Sequence, residues 1–290
     1  MRETAFSDWP DGAVAVRRQE LLVDRLSLNQ ITAKSWSLPE AVRGCAEREV
    51  GWIGLWRDRV AEVGVTEAAK LVRDHGIGVS SLCRGGFFPG DDEDARHAAI
   101  AHTRQGLEDA ARLGTDCLVL VCGGIARGDL PGSRRDVADA IEQLVPDAER
   151  TGVRLAIEPL HPMYCADRSV VATLDQALVL AAPYPPEVVG VAVDAFHVWW
   201  DPGIFASIAA ASGRILGFHV CDWLVPLPDV LLGRGLPGEG PIDLRALKAA
   251  VDAAGYRGPI EVEVFNAELW AMDGGEVLDR TIGAYRTHVA

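Results

Sequence analysis

Four polar residues lie at or near the ends of short apolar runs and have side chains that bind metals and move protons. Glu158 ends RLAIE, Asp194 ends VGVAVD, His219 lies in RILGFHV and Glu263 lies in PIEVEVF. They are 36, 25 and 44 residues apart (194−158, 219−194, 263−219). Three carboxylates held together repel one another, and a divalent cation between them removes that repulsion. The four residues therefore predict a metal site, provided that the fold brings these run ends together.

The ligand types narrow the choice of metal. Oxygen ligands with a single imidazole favour Mn²⁺, while Mg²⁺, Co²⁺, Zn²⁺ and Fe²⁺ stay open. Glu261 and Glu263 face the same side of one predicted strand, and Glu263 is nearer its carboxyl end, so Glu263 is the predicted ligand. Singly, such carboxylates are more often caps or turn formers, and His219 alone would be a core histidine. Together, on successive strands, the four favour a metal site.

The rest of the chain predicts elements that can position these residues. Apolar runs alternate with amphipathic segments, which is the pattern of parallel strands joined by helices. The predicted strands are Leu26–Gln30, Trp52–Trp56, Val79–Cys83, Cys117–Cys122, Arg154–Glu158, Val189–Asp194, Ile215–Val220 and Ile260–Val264. The predicted helices include the segment after a Ser37/Glu40 capping box, the segment EAAKLVRDH closed by Gly76, and 92–113, 133–150, 173–180, 204–211, 244–254 and 276–287.

Eight such units fit a (β/α)₈ barrel, whose strands all end at one mouth. A doubly wound sheet would show a glycine fingerprint after its first strand, where this chain has ITAKSW. We predict an α/β chain with a single (β/α)₈ TIM barrel as one domain over residues 1–290. Residues 1–25 would be an extension before the first strand, and residues 221–241 a substrate loop.

The amino-acid composition limits which partners the chain can bind and in which cellular compartment it is expected. The chain has 28 basic and 42 acidic side chains and a formal net charge of −14, which disfavours nucleic acid and anionic membrane surfaces. No apolar run approaches the ~20 residues of a membrane span, and the acidic N-terminus lacks a signal-peptide core. The six cysteines contain no C-x-x-C pair and are expected to be free thiols. We therefore expect a cytoplasmic protein.

Several segments together resemble the xylose-isomerase-like TIM barrels, a superfamily of sugar isomerases and epimerases. They are LAIEP, VAVDAFHVWW, GFHVCD, PGEGPIDLRALKAAVDAAGY and GPIEVEVF. The resemblance covers nearly the whole chain and is strongest from residue 154 to 265. It implies one divalent metal held by Glu158, Asp194, His219 and Glu263. It also implies that Glu158 and Glu263 shuttle protons on opposite faces of the substrate, and that His197 contacts substrate oxygens.

The expected activity is a metal-dependent sugar isomerase or epimerase that removes a proton next to a carbonyl and passes through an enediolate. His197 is an alternative base. Ketose epimerases carry an arginine soon after the strand-seven histidine, and HVCDWLVPLP has none. The segments LSLNQITAKSW, IGLWRD and SLCRGGFFP also differ from those of the plain epimerases. The runner-up is therefore a lyase of the same superfamily, either a C-glycoside deglycosidase large subunit acting on a 3-oxo-glucoside or a dehydratase acting on an inosose or dehydroshikimate.

Five further residues are predicted to bind substrate. Arg84 could meet a sugar or carboxylate oxygen or anchor a turn, and Trp199 could stack on a sugar or pack under a lid. Arg234, in RGLPGEG, is expected to reach into the mouth. His161 and Asp222 would bind hydroxyls or support other groups.

The expected partners are a small sugar or sugar derivative and further copies of the same chain, with a small partner subunit if the deglycosidase alternative holds. An apurinic endonuclease would need a basic groove and more histidines than the seven present. A non-enzymatic sugar-binding scaffold also stays open, since a fold does not define a function.

Overall fold

The computed structural model describes residues 25–290. The predicted N-terminal extension, 1–25, lies outside the described residues except for Arg25. The strands are β1 Leu26–Asn29, β2 Trp52–Trp56, β3 Gly78–Gly86, β4 Cys117–Val121, β5 Arg154–Glu158, β6 Val189–Asp194, β7 Ile215–Val220, β8 Asp222–Trp223, β9 Arg234–Gly235 and β10 Ile260–Val262. Eight of them, all parallel, close a barrel in the order β1-β10-β7-β6-β5-β4-β3-β2. The predicted (β/α)₈ TIM barrel is confirmed.

Helices follow the strands and cover the outside of the barrel. They are α1 Leu38–Glu47, α2 Arg57–Val63, α3 Val65–Asp74, α4 Glu93–Leu113, α5 Leu130–Thr151, α6 Leu174–Ala181, α7 Ala195–Val198, α8 Ile204–Ala210, α9 Leu244–Ala253, α10 Ala267–Ala271 and α11 Gly274–His288. The Ser37 backbone N–H donates to Glu40 Oε2 at 2.8 Å, as expected of the capping box. None of these helices is long and apolar enough to cross a membrane.

Strand β3 runs three residues beyond its predicted end at Cys83. Gly85 and Gly86 continue the pairing with Leu120 and Val121 of β4. Gly86 has a φ of 113°, and a Cβ there would collide with the Val121 carbonyl oxygen. The glycines that look like a strand terminator in sequence therefore serve a close approach of two backbones.

The predicted substrate loop, residues 221–241, contains a pair of short antiparallel strands that its sequence does not predict. Asp222 and Trp223 of β8 pair antiparallel with Gly235 and Arg234 of β9. Two-residue strands show no alternation of apolar and polar residues, so periodicity misses them. The short helices α2, α7 and α10 were not predicted either. The β8–β9 pair fixes the position of Arg234 beside the barrel mouth.

The barrel interior is apolar except towards its carboxyl end. Inside the barrel lies a small apolar cluster: Cys117, Val119, Ala156, Ala192 and Leu216. The alternate strand residues, such as Leu28, Ile157 and Val193, are buried against the helices. Acidic, amide and imidazole side chains are also buried there: Asn29, Glu158, Asp194, His219, Glu261 and Glu263. Buried charged groups are costly unless they are paired or bind a metal, so this cluster marks the candidate site.

Candidate metal and proton-transfer site

Three of the four predicted ligands come together at the ends of neighbouring strands. Glu158 ends β5, Asp194 ends β6, and His219 lies in β7 beside Asp194 in the parallel register. One ligand atom from each lies within 4.8 Å of the other two. The three side chains are 5%, 0% and 2% exposed. The barrel topology thus brings together residues that are far apart in sequence.

The ligand atoms are suited to a divalent cation. His219 Nδ1 lies 2.9 Å from Glu158 Oε1. Apart from this contact with each other, neither atom has a hydrogen-bond partner within residues 25–290, and neither does His219 Nε2, although all three are buried. Buried polar atoms normally have a partner. Two carboxylates and one imidazole with unused lone pairs are an oxygen-rich, single-nitrogen donor set, which Mn²⁺, Zn²⁺ or Fe²⁺ can accept.

Asp194 also has the ordinary structural role that its position allows. Its Oδ1 accepts from the Phe196 backbone N–H at 2.8 Å and caps α7. Its Oδ2 lies 3.2 Å from Arg234 Nη1 and 3.5 Å from His197 Nε2. One carboxylate therefore both starts the helix and faces the site.

Glu263, the fourth predicted ligand, is held by other groups and stands outside the three-residue cluster. Its Oε2 accepts from Arg234 Nη1 at 2.8 Å, and its Oε1 accepts from Asn29 Nδ2 at 3.2 Å. Burial raises the pKa of Glu263 to about 7, even though Arg234 and His219 oppose that rise. A carboxyl that titrates near neutrality is suited to taking up and releasing a proton.

Arg234 occupies the centre of the mouth. Its guanidinium bonds Glu263 and Asp194 and lies between two rings, 4.5 Å from the centre of Phe196 and 4.8 Å from that of Phe265. Burial would lower the pKa of Arg234, but Asp194 and Glu263 raise it well above its usual value. The mouth therefore does contain an arginine, supplied by β9 rather than by the residues directly after His219.

The His197 ring lies between two hydrogen-bond donors. Its Nδ1 faces the His161 backbone N–H at 3.2 Å, and its Nε2 lies 3.1 Å from Arg234 Nη2, which can only donate. Burial lowers the pKa of His197 to about 3, with Arg234 acting in the same direction and Asp194 against it. His197 is therefore a neutral side chain whose Nε2 faces the Arg234 guanidinium.

A second carboxylate, that of Glu261, lies near the other ring nitrogen of His219. Glu261 lies beside His219 in the β7–β10 register, with its Oε1 3.8 Å from His219 Nε2. Ser80 Oγ donates to Glu261 Oε1 at 2.8 Å, and Asn29 Nδ2 donates to Oε2 at 3.0 Å. A Cβ on Gly54 would collide with the Glu261 carboxylate. Glu261 thus pairs with hydroxyl and amide donors.

A cavity of about 90 Å³ opens above these residues. This mouth cavity is lined by Trp56, Arg84, Glu158, His197, Arg234 and Glu263, among others. Tyr164 and Arg168, from the loop after β5, also line it and were missed. The barrel prediction places every loop after a strand at the mouth, so this loop was the available signal.

Three predicted substrate-binding residues lie outside the mouth lining. The Asp222 carboxylate accepts from the backbone N–H groups of Trp223, Gly238 and Ile242 at 2.9–3.0 Å, so it anchors the 221–241 loop. The His161 ring packs against Trp200 and Trp223. Trp199 packs on Trp223 as well, which is the packing alternative given for it above.

Residues 45–281 match the family described as the xylose isomerase-like TIM barrel. The chain belongs to this family. The resemblance drawn from the sequence segments is therefore confirmed at the level of the superfamily.

Two curated proteins that are similar to this chain are enzymes. The 3-dehydroshikimate dehydratase of Pseudomonas aeruginosa is 36% identical over 159 residues, which are 53% of this chain and 24% of the dehydratase. The inosose isomerase of Bacillus velezensis is 26% identical over 218 residues, 74% of this chain and 76% of the isomerase. The chain thus spans about a quarter of the dehydratase and about three quarters of the isomerase.

Solved structures share the whole fold. Protein SMc04130 from Sinorhizobium meliloti 1021 has 44% identity and a TM-score of 0.89, over 92% of this chain and 99% of that chain. The IOLI protein, solved with a bound zinc atom, has 21% identity and a TM-score of 0.78, again over 92% and 99%. At that identity the second structure shows a shared fold only.

Proposed function

We propose that this protein is a divalent-metal-dependent sugar isomerase or epimerase that removes a proton next to a carbonyl group. One observation carries the proposal: the buried ligand atoms of Glu158 and His219, which have no hydrogen-bond partner within residues 25–290 other than each other, lie beside Asp194 and under a mouth cavity that Glu263 also lines. The zinc in the IOLI protein, which has the same fold, is consistent with a metal here. Mn²⁺ is the metal we propose, on ligand type.

A divalent metal held by Glu158, Asp194 and His219 would supply a Lewis acid for a substrate carbonyl oxygen. Glu263 is the proposed base, because its buried carboxyl lines the mouth cavity beside Glu158, and a carboxylate next to a bound cation is ionised at neutral pH and able to accept a proton. Glu158, on β5, approaches the mouth from a strand three places away from β10 in the barrel. It is the proposed partner that exchanges a proton on the opposite face of the substrate, and Glu263 is the proposed fourth ligand.

His197 and Arg234 have supporting roles in this proposal. His197 Nε2 lies 3.1 Å from Arg234 Nη2, and burial lowers the pKa of the ring to about 3, so His197 is a poor proton acceptor at neutral pH. This argues for the substrate-contact role and against His197 as the base. Arg234 holds the Glu263 carboxylate at 2.8 Å and offsets the negative charge of the mouth.

A lyase is the second candidate, and the named activity of the dehydratase relative favours it. The first step is the same: the C–H bond breaks, the proton moves to a carboxylate, and the electron pair passes towards the carbonyl. An isomerase returns a proton to carbon, whereas a lyase expels a substituent β to the carbonyl with its bonding electrons, leaving a carbon–carbon double bond. The two reactions differ in the fate of the electron pair.

The remaining parts of the proposal concern the cellular compartment, the substrate and the oligomeric state. Five of the six cysteines are buried free thiols and the sixth is partly exposed, which is consistent with a reducing cytoplasm. We propose a small sugar or sugar derivative as substrate and a homo-oligomer as the assembly, with a small partner subunit only for the deglycosidase alternative.

The test is proton exchange in D₂O, followed by NMR, with Mn²⁺-loaded protein and a panel of ketoses, inososes and 3-oxo-glucosides. We expect deuterium next to the carbonyl together with a new isomer or epimer. Glu263→Gln should slow exchange by about 10²- to 10⁴-fold, whereas Glu67→Gln, on the exposed start of α3, should not. Release of water or an aglycone would contradict the isomerase and support the lyase. Absence of exchange with every substrate would contradict both.

A further inference from the structure

A second cavity adjoins the mouth at the ends of β2 and β3. This flank groove has a volume of about 640 Å³. The lining residues used below are Trp56, Arg57, Arg84, Phe87, His102 and Asp109. Trp56, Cys83 and Arg84 line the mouth cavity as well, so the two cavities share a wall. The Arg84 side chain therefore borders both the flank groove and the mouth cavity.

Two of the three basic side chains of the flank groove already have partners or lack charge. Arg57 Nη1 donates to the His102 carbonyl oxygen at 3.0 Å, and Arg57 Nη2 lies 3.6 Å from Asp109. Burial lowers the pKa of His102, and the nearby charges of Arg57 and Arg84 lower it further. His102 is therefore neutral at pH 7, and the charge of Arg57 is balanced by Asp109.

Arg84, unlike Arg57 and His102, carries a charge that no neighbouring acid in the described part of the chain balances. Its guanidinium stacks on the Phe87 ring, 4.2 Å from the ring centre, and it has no carboxylate partner among residues 25–290. Asp58, the remaining acid of the flank groove, is exposed to solvent and makes no ion pair with it. Stacking on an aromatic face holds the plane of a guanidinium while leaving its N–H edge free.

We propose that the flank groove binds a carboxylate group of the substrate through the Arg84 guanidinium, while the carbonyl-bearing end of the same molecule lies in the mouth. The inference rests on the proposed function and deepens it, because it specifies the sugar derivative as a polyhydroxylated keto acid. A guanidinium edge binds a carboxylate through two parallel hydrogen bonds, which also fix the orientation of the substrate.

The charge of the groove favours a carboxylate over a phosphate. A carboxylate carries one negative charge and matches the single unbalanced cation. A phosphate monoester carries nearly two at pH 7 and would need a second cation, but Arg57 already faces Asp109. We therefore assign the carboxylate, and a phosphate-bearing ligand serves as one arm of the test.

The test is calorimetric titration of the Mn²⁺-loaded protein with unreactive probes: quinate, a cyclic polyol with a carboxylate, myo-inositol, a neutral ring, and glucose 6-phosphate. We expect quinate to bind at least about 10-fold more tightly than myo-inositol. Arg84→Gln should raise the Kd of quinate about 10- to 100-fold, and Arg84→Lys should raise it less, because lysine keeps the charge but loses the paired hydrogen bonds. Arg73→Gln, an exposed arginine on α3, is the control.

Equal binding of quinate and myo-inositol would overturn the inference, and so would a quinate Kd that Arg84→Gln leaves unchanged. Tighter binding of glucose 6-phosphate than of quinate would replace the carboxylate by a phosphate. Because these titrations need no turnover, they separate the two proposals. Arg84-dependent quinate binding without proton exchange on any ketone would refute the proposed reaction and support the flank groove, whereas exchange on neutral ketoses without quinate binding would do the reverse.

Discussion

Arg234 Nη1 and Glu263 Oε2 form a buried ion pair at 2.8 Å between strand β9 and the chain directly after β10. Asp194 shares the same guanidinium nitrogen at 3.2 Å. Arg234 therefore joins the hairpin of the 221–241 loop to two acidic residues of the mouth. Its side chain is 5% exposed, so water does not screen these contacts.

Removal of the Arg234 charge should destabilise the metal-free protein. Arg234→Gln leaves two buried carboxylates facing each other, and breaking a buried pair in this way costs about 3–5 kcal/mol of unfolding free energy. Urea unfolding, followed by circular dichroism, measures the effect. Arg234→Lys should lose less, and the exposed Arg73→Gln should stay within about 0.5 kcal/mol of the parent. Equal stability of Arg234→Gln and the parent would show that the pair does not hold the mouth together.

Glu261 should set the affinity of His219 for a metal. A metal-bound histidine usually presents its second nitrogen to a carboxylate, and loss of that partner lowers metal affinity by about 10- to 100-fold. Glu261→Gln keeps the shape and should raise the Kd for Mn²⁺, measured by electron paramagnetic resonance, within that range. Ser80→Ala removes only one hydrogen bond to Glu261 and should have a smaller effect.

The ¹⁵N shifts of the His219 ring give an independent measure. We expect them to change in Glu261→Gln, because a neighbouring carboxylate favours a proton on Nε2. Unchanged shifts together with unchanged Mn²⁺ affinity would show that Glu261 has only a packing role.

A bound metal should stabilise the fold by mass action. A ligand at 1,000 times its Kd adds about 4 kcal/mol, which for a chain of this size raises Tm by about 7 °C. Calorimetry before and after dialysis against a chelator measures the difference. His219→Asn should show little metal-dependent shift, because it removes one of the three clustered ligands. If neither the chelator nor Mn²⁺ changed the Tm of the parent protein, the result would contradict the proposed metal site.

Thiol labelling should distinguish one cysteine from the others. Cys165 is partly exposed, whereas Cys45, Cys83, Cys117, Cys122 and Cys221 are buried. Burial raises the pKa of Cys45 and Cys122 to about 12, and the thiolate is the reactive form. At pH 8 we expect one fast reaction with a disulfide reagent, absent from Cys165→Ser, and six thiols after denaturation. Rapid labelling of several thiols in the native protein would contradict this burial.

The fold follows from sequence where the pattern is long. All eight barrel strands lie where apolar runs predict them, because strands covered on both faces read as continuous apolar segments. Periodicity failed at Gly85 and Gly86, which have no side chain to show a pattern, and at β8 and β9, which have two residues each. In those places backbone contacts with distant residues decide the structure.

The candidate site was predictable in outline and not in detail. Glu158, Asp194 and His219 meet because parallel strands end at one mouth, which topology alone requires. The position of Arg234 depends on the β8–β9 pair, so its sequence distance from His219 was no guide. Asp222 shows the opposite case: a strand-end acid with the right chemistry is used by backbone N–H groups of its own loop. Such competition among hydrogen-bond donors is visible only in three dimensions.

The most direct test of the metal site is the anomalous difference map of a crystal grown with Mn²⁺. We predict one strong peak within bonding distance of Glu158, Asp194 and His219, lost in His219→Asn, with Glu263 as the fourth protein ligand. A map without a peak among these three side chains, in a protein that binds Mn²⁺ elsewhere or not at all, would contradict the account.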